Sequence, residues 1–141
     1  VKNGLAYDYA RIRDESVRVE ADINALASKD ANSAAVMVWN YHDDNLPGPD
    51  ASVSVRLNGL PNKTITLHHY RIDQKFSNSY EAWKKMGSPK TPSAEQVAQL
   101  EKAGQLQQTS APERVSVKNG EAVLNLTLPR QGVSLLQLTW D

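Results

Sequence analysis

Short runs that alternate apolar and polar residues, separated by dense turn signals, constrain this chain more than any other feature. Val17–Ala25 (VRVEADINA) and Ser52–Leu57 (SVSVRL) alternate strictly, the period of a half-buried strand. Leu124, Leu126 and Leu128 alternate with Val123, Asn125 and Thr127, and Leu136, Leu138 and Trp140 share one face of a run from Val133 to Trp140. Ala35–Tyr41 (AVMVWNY) is nearly all apolar and is expected to be a strand covered on both faces. Thr64–Ile72 and Arg114–Lys118 add two more runs, and Leu5–Ala10 a candidate at the start. Between them lie turns: His42–Asp50 (HDDNLPGPD), Asn58–Asn62, Asn119-Gly120 and Pro129–Gly132. Asn-Gly between two β runs is a strong hairpin signal.

Once, the period changes. Asn78 with Glu81 three residues on resembles a capping box, and Ser77 is read as a cap at the same helix start. Tyr80 and Trp83 fall on one helix face, and Gly87 and Pro89 stop the helix. Ser93 and Gln96 open a second helix, with Val97, Leu100 and Ala103 on one face and Gly104 at its end. The reading is therefore mainly β: an antiparallel β-sandwich of seven or eight strands with a two-helix insertion over about 73–108, and a barrel as the alternative.

At 141 residues the chain is read as a single domain, 1–141, large enough to bury a core. Sixteen basic residues balance sixteen acidic ones, which argues against a nucleic-acid partner and against a polybasic membrane anchor. No apolar run approaches the ~20 residues that span a bilayer. The absence of cysteine removes disulfides and thiolate chemistry and leaves the compartment open. The chain opens on Val1 rather than Met, as an excised piece of a longer protein does.

Candidate chemistry is sparse. His68 and His69 are adjacent in a strand, so they point to opposite faces and do not share a metal; no metal site or cofactor is expected. Asp43, Asp44, Asn45 and Asp50 lack the spacing of a calcium loop. No Gly-x-Ser-x-Gly motif and no phosphate-binding glycine loop occur. The glutamates sit at helix caps, turns and polar strand faces, so no pair reads as flanking a glycosidic bond. Trp39 and Trp140 lie in apolar strands and are expected in the core, whereas Trp83 sits on a short helix that needs a partner surface.

Several stretches resemble family 39 glycoside hydrolases, the β-xylosidase family. These are Trp39–Asp44 with Pro47-Gly-Pro49, His69–Asp73 followed by Ser77-Asn78, Tyr80, Ala82-Trp83 and Met86–Pro89, and the terminal Leu128-Pro129, Gly132–Leu136 and Trp140. The resemblance runs from about Ala21 onward. It implies a retaining enzyme whose two catalytic glutamates lie on a (β/α)-barrel, joined to an accessory β-sandwich. The acid/base glutamate of that family sits in an Asn-Glu-Pro motif, which this sequence lacks, so no catalytic residue carries over. The resemblance thus implies a non-catalytic accessory domain. Its partner would be the barrel of the same polypeptide, and the parent would act on xylo-oligosaccharides. Phe76 stands where the family leads one to expect a histidine before Ser77-Asn78. The barrel-facing or pocket-rim candidates are His69, Arg71, Asp73, Phe76, Asn78, Tyr80 and Trp83, with Arg71 and Asp73 expected to pair at the corner between strand and insertion. An independent carbohydrate-binding module and an adhesion-type sandwich stay open beside this reading.

Overall fold

A computed structural model describes residues 22–42 and 48–141. In chain order the elements are β1 (Asp22–Lys29), β2 (Ser33–Tyr41), β3 (Ala51–Asn58), β4 (Ile65–Ile72), α1 (Ser79–Lys85), α2 (Ala94–Gly104), β5 (Gln107–Gln108), β6 (Glu113–Val115), β7 (Glu121–Leu128) and β8 (Val133–Thr139). One sheet runs β1-β2-β8-β4, with the short β5 and β6 both pairing along the far edge of β4. The other sheet is β3-β7. Every pairing is antiparallel. The two sheets are open, so the fold is a sandwich and not a barrel.

Side-chain parity explains how the layers meet. Directly opposed residues of an antiparallel pair share a face. Val36 and Val38 of β2, Leu136 and Leu138 of β8, and Ile65 of β4 all turn inward and are buried. Leu128 and Ala122 of β7 meet them from the other sheet, with Val53, Val55 and Leu57 of β3 packed around. Each fully buried leucine of this kind contributes about 1.5–3 kcal/mol. Trp140 closes one end of the core as expected, its indole nitrogen donating to the Ala31 carbonyl at 3.0 Å.

The Asn119-Gly120 turn forms, but not as a hairpin of two paired strands: it closes on a single isolated bridge, Lys118 with Glu121, and carries the chain from β6 of the large sheet to β7 of the small one, because β4 and β3 claim those two strands as partners. Both residues have positive φ, 53° and 76°, and Lys118 and Glu121 exchange two backbone hydrogen bonds of 2.9 Å. A Cβ on Gly120 would sit 3.4 Å from the Leu60 carbonyl oxygen, a second reason for glycine there.

Four expectations are corrected. β2 is not covered on both faces: Ala34, Val36, Val38 and Asn40 are buried, whereas Met37 and Tyr41 are exposed. Trp39 shares that outer parity and is half-buried rather than in the core. The strand expected over Val17–Ala25 runs from Asp22 to Lys29 among the described residues, because β2 supplies a partner for all eight of those positions. The strand expected over Arg114–Lys118 is Glu113–Val115 instead, where β4 offers Leu67, Thr66 and Ile65 as partners. The candidate strand Leu5–Ala10 and the Asp43–Asn45 group lie outside the described residues.

Candidate functional site: the corner between β4 and the helical insertion

β4 ends at Ile72, and the chain turns out of the sheet on an aspartate. Asp73 Oδ1 accepts from the backbone N–H groups of Lys75 at 2.7 Å and Phe76 at 3.0 Å, and the Asp73 N–H donates to the Phe76 carbonyl at 3.1 Å. Its other oxygen, Oδ2, lies 3.5 Å from Arg71 Nη1, and both side chains are almost wholly buried. Arg71 reaches further: Nη2 donates to the Thr127 carbonyl on β7 at 2.9 Å, tying the large sheet to the small one. The expected Arg71–Asp73 pair is therefore present, and every polar atom of the carboxylate is used in holding the corner. That is a structural use of the group, not the free carboxylate that proton transfer needs.

Asn78 completes the turn. Its Nδ2 donates to the Asp73 carbonyl at 2.8 Å while its Oδ1 caps α1 by accepting from the Glu81 N–H at 3.0 Å. The N-cap is thus Asn78 and not Ser77. Ser77 instead takes a positive φ of 53° and accepts from the Gln107 N–H at 2.8 Å, which joins the start of the insertion to its end. Phe76 is half-buried beside it.

Beyond the cap, Tyr80 and Trp83 stack with centroids 5.7 Å apart, and Lys84 Nζ lies 5.0 Å from the Tyr80 centroid. Trp83 Nε1 donates to the Pro89 carbonyl at 3.0 Å, so the ring is fixed within the insertion. The helix then stops in a Schellman arrangement: Ser88 N–H bonds to Trp83 O and Gly87 N–H to Lys84 O, with Gly87 at φ 85°. α2 opens on a full capping box, Ser93 with Gln96. Neither helix buries a residue completely.

His69 is apart from this group. It points inward from β4, and its Nε2 lies 3.0 Å from the Oγ of Ser134, which is fully buried. Burial, and secondarily the Arg71 charge, lower its pKa below the ordinary value, against a smaller opposing pull from Glu113. His69 also lines a cavity of about 350 Å³ between the sheets, with Ser110, Glu113 and Asn125 among its neighbours. So Arg71, Asp73, Phe76 and Asn78 form one cluster, Tyr80 and Trp83 a second on the exposed helix, and His69 belongs to the interior. His68 takes the opposite face from His69, as the strand period requires. Among the described residues no three His, Asp or Glu side chains gather in a way that could hold a metal.

Two polar residues escaped the sequence reading. Asn40 is buried and donates from Nδ2 to the Leu128 carbonyl at 3.3 Å, a second bond across the sandwich. Ser134 receives His69. Both sit inside runs read as apolar; the signal available was their parity, which puts Asn40 in step with Val36 and Val38, and Ser134 with Leu136 and Leu138.

The model of the glycosyl hydrolases family 39 matches residues 8–120. The chain belongs to family 39. Solved structures share its fold at low sequence identity. The family 39 enzyme from Xanthomonas axonopodis pv. citri is 23% identical with a TM-score of 0.72, over 84% of this chain and 26% of that one. A monomeric β-xylosidase from Caulobacter crescentus CB15 is 21% identical with a TM-score of 0.67, over 82% and 26%. A bacterial orthologue of human α-L-iduronidase is 18% identical with a TM-score of 0.64, over 86% and 22%. This chain therefore spans only about a quarter of the family 39 chains it resembles. No curated protein matches it in sequence.

Proposed function

We propose that this chain is the non-catalytic accessory β-sandwich of a retaining, β-xylosidase-type glycoside hydrolase. In this reading the barrel on the same polypeptide carries the two catalytic glutamates, and the whole protein releases xylose from xylo-oligosaccharides. One observation carries the reading: a family 39 match over most of the chain, in a chain about a quarter as long as the solved family 39 structures. The state of Asp73 supports it, since this buried carboxylate is bound to Arg71 and two backbone N–H groups. The sequence also has no Asn-Glu-Pro motif. The role proposed for the chain is to pack on the barrel, with the insertion from Asp73 onward reaching the pocket rim.

The test is hydrolysis of aryl xylosides and xylobiose by the 141-residue chain and by the full-length polypeptide. Turnover by the full-length protein alone is expected; turnover by the purified chain overturns the reading. An aryl iduronide beside the xylosides tests the sugar class. Titrating the isolated chain with xylobiose while following tryptophan fluorescence addresses a carbohydrate-binding module. The expected result is no saturable change, because Trp140 is buried, Trp83 is stacked on Tyr80 and Trp39 is half-buried between its neighbours Asn24 and Val133.

A further inference from the structure

The two outer faces of the sandwich differ in chemistry. On β3-β7 the outward pairs are Ser52 with Thr127, Ser54 with Asn125, Arg56 with Val123, and Asn58 with Glu121. That is a solvated face, with an Arg56–Glu121 ion pair of 3.0 Å and one apolar residue. The outer face of the large sheet is built otherwise. Along one row Leu26 opposes Met37, Met37 opposes Leu135, and Leu135 opposes Tyr70. In the next row Asn24 opposes Trp39, Trp39 opposes Val133 and Val133 opposes Ile72, and Tyr41 stands one step beyond. Leu26 is 64% exposed, Tyr41 50%, Ile72 45% and Met37 39%.

The apolar character is confined to one end. Two residues further along the same strands the outer row reads Ser28, Ala35, Gln137 and His68, and after it Ser33, Thr139 and Thr66. The apolar rows lie at the end where β4 runs into Asp73 and the insertion. Asp22 opposes Tyr41 at this end too. Scattered exposed apolar residues are ordinary, but a contiguous patch on one sheet face marks a surface that another body covers. The patch's polar groups lie along the β1 edge, Asn24 and Asp22, and on the hydroxyls of Tyr41 and Tyr70, while its middle is aliphatic and aromatic, the make-up of an interface core with a polar rim.

We infer that this end of the outer face of β1-β2-β8-β4 is the surface on which the sandwich packs against the (β/α)-barrel in its own polypeptide. The inference rests on the accessory-domain reading and adds to it the contact face. About three quarters of a neighbouring family 39 chain lies outside the matched region, enough to supply such a partner. Met37, Trp39 and Leu135 form the centre of the contact, and Leu26 and Tyr41 its rim.

Peroxide oxidation followed by mass spectrometry reads this directly, because one of the two methionines, Met37, lies in the patch; free methionine added to each sample is the reference, since the other, Met86, lies on the insertion proposed to reach the pocket rim. Relative to the free methionine, Met37 is expected to oxidise about fivefold or more slowly in the full-length polypeptide than in the 141-residue chain, as burial of a thioether dictates. Leu26→Lys, a change at a largely exposed position that leaves the core intact, is expected to restore fast oxidation in the full-length protein; Ser54→Lys on the solvated face is not. Equal Met37 rates in the two proteins overturn the inference. So does protection already present in the isolated chain: if it vanishes on dilution a second copy covers the face, and if it persists the chain's own residues 1–21 do. Glycoside hydrolysis on the same samples separates the two proposals. An active full-length enzyme with unprotected Met37 refutes the docking face alone, and protection without any glycosidase activity refutes the functional reading alone.

Discussion

Arg71 and Asp73 are two residues apart in sequence and form a buried ion pair, Nη1 to Oδ2 at 3.5 Å, where the strand ends and the insertion begins. One partner cannot be removed without stranding the other. Asp73→Ala leaves the Arg71 guanidinium without its anion and the N–H groups of Lys75 and Phe76 without their acceptor. A loss of about 3–5 kcal/mol is expected. Asp73→Asn keeps an acceptor for the backbone and should lose less. Urea unfolding of the two variants against the parent sequence checks the order.

His69 links stability to pH. Its folded pKa lies below the ordinary 6.5, chiefly through burial and then through Arg71. As pH falls below about 6.5 the unfolded chain takes up a proton that the folded chain refuses, so the contribution is fully present above that value and is lost on acidification. His69→Gln should flatten the dependence of unfolding free energy on pH between about 7 and the folded pKa. Thermal melts across that range measure it. A dependence unchanged by the substitution contradicts the assignment.

Trp83 offers a separable pair of interactions. Trp83→Phe keeps an aromatic ring against Tyr80 and removes the donor to the Pro89 carbonyl. About 1 kcal/mol of local stability should be lost, seen as faster amide exchange across residues 79–89 with the sheet unaffected.

The backbone at Ser88 is left-handed, φ 54°, directly after Gly87 in the helix stop. Ser88→Gly relieves the crowding of its Cβ and is expected to stabilise by about 0.5–1 kcal/mol. Differential scanning calorimetry against the parent sequence decides the sign.

Core and rim leucines make the last contrast. Leu138→Ala, at a position with no exposure, should cost about 2–5 kcal/mol. Leu26→Ala should cost the isolated chain little, since that side chain is mostly in water. Parallel chemical denaturation of the 141-residue variants compares them.

Much of this architecture was legible because it is local. Period-two alternation located β3, β7 and β8, the Asn119-Gly120 pair fixed a tight turn, though one that passes between the sheets and not a hairpin, and the caps at Asn78 and Ser93 opened both helices. What escaped depended on contacts between distant residues. Apolar residues on both parities of β2 read as burial on both sides, yet the described residues cover only the side of Val36 and Val38; Met37, Trp39 and Tyr41 face outward. Ser77 has the chemistry of a cap, but Gln107, thirty residues away, claims its hydroxyl. The pairing of Arg71 with Asp73 was readable from a separation of two, whereas the tie from Arg71 to Thr127 spans the sandwich and leaves no local mark.

Arg71 opposes Gln107 in the sheet ladder, so the chain leaves β4 and rejoins the same edge at the same rung. Everything between is an excursion with adjacent ends. The ladder is indifferent to how long that excursion is, and a tight reverse turn in place of residues 73–106 would meet the same geometric demand. The helical pair is thus a graft on a finished scaffold, free to be lengthened, trimmed or exchanged without re-registering a single strand.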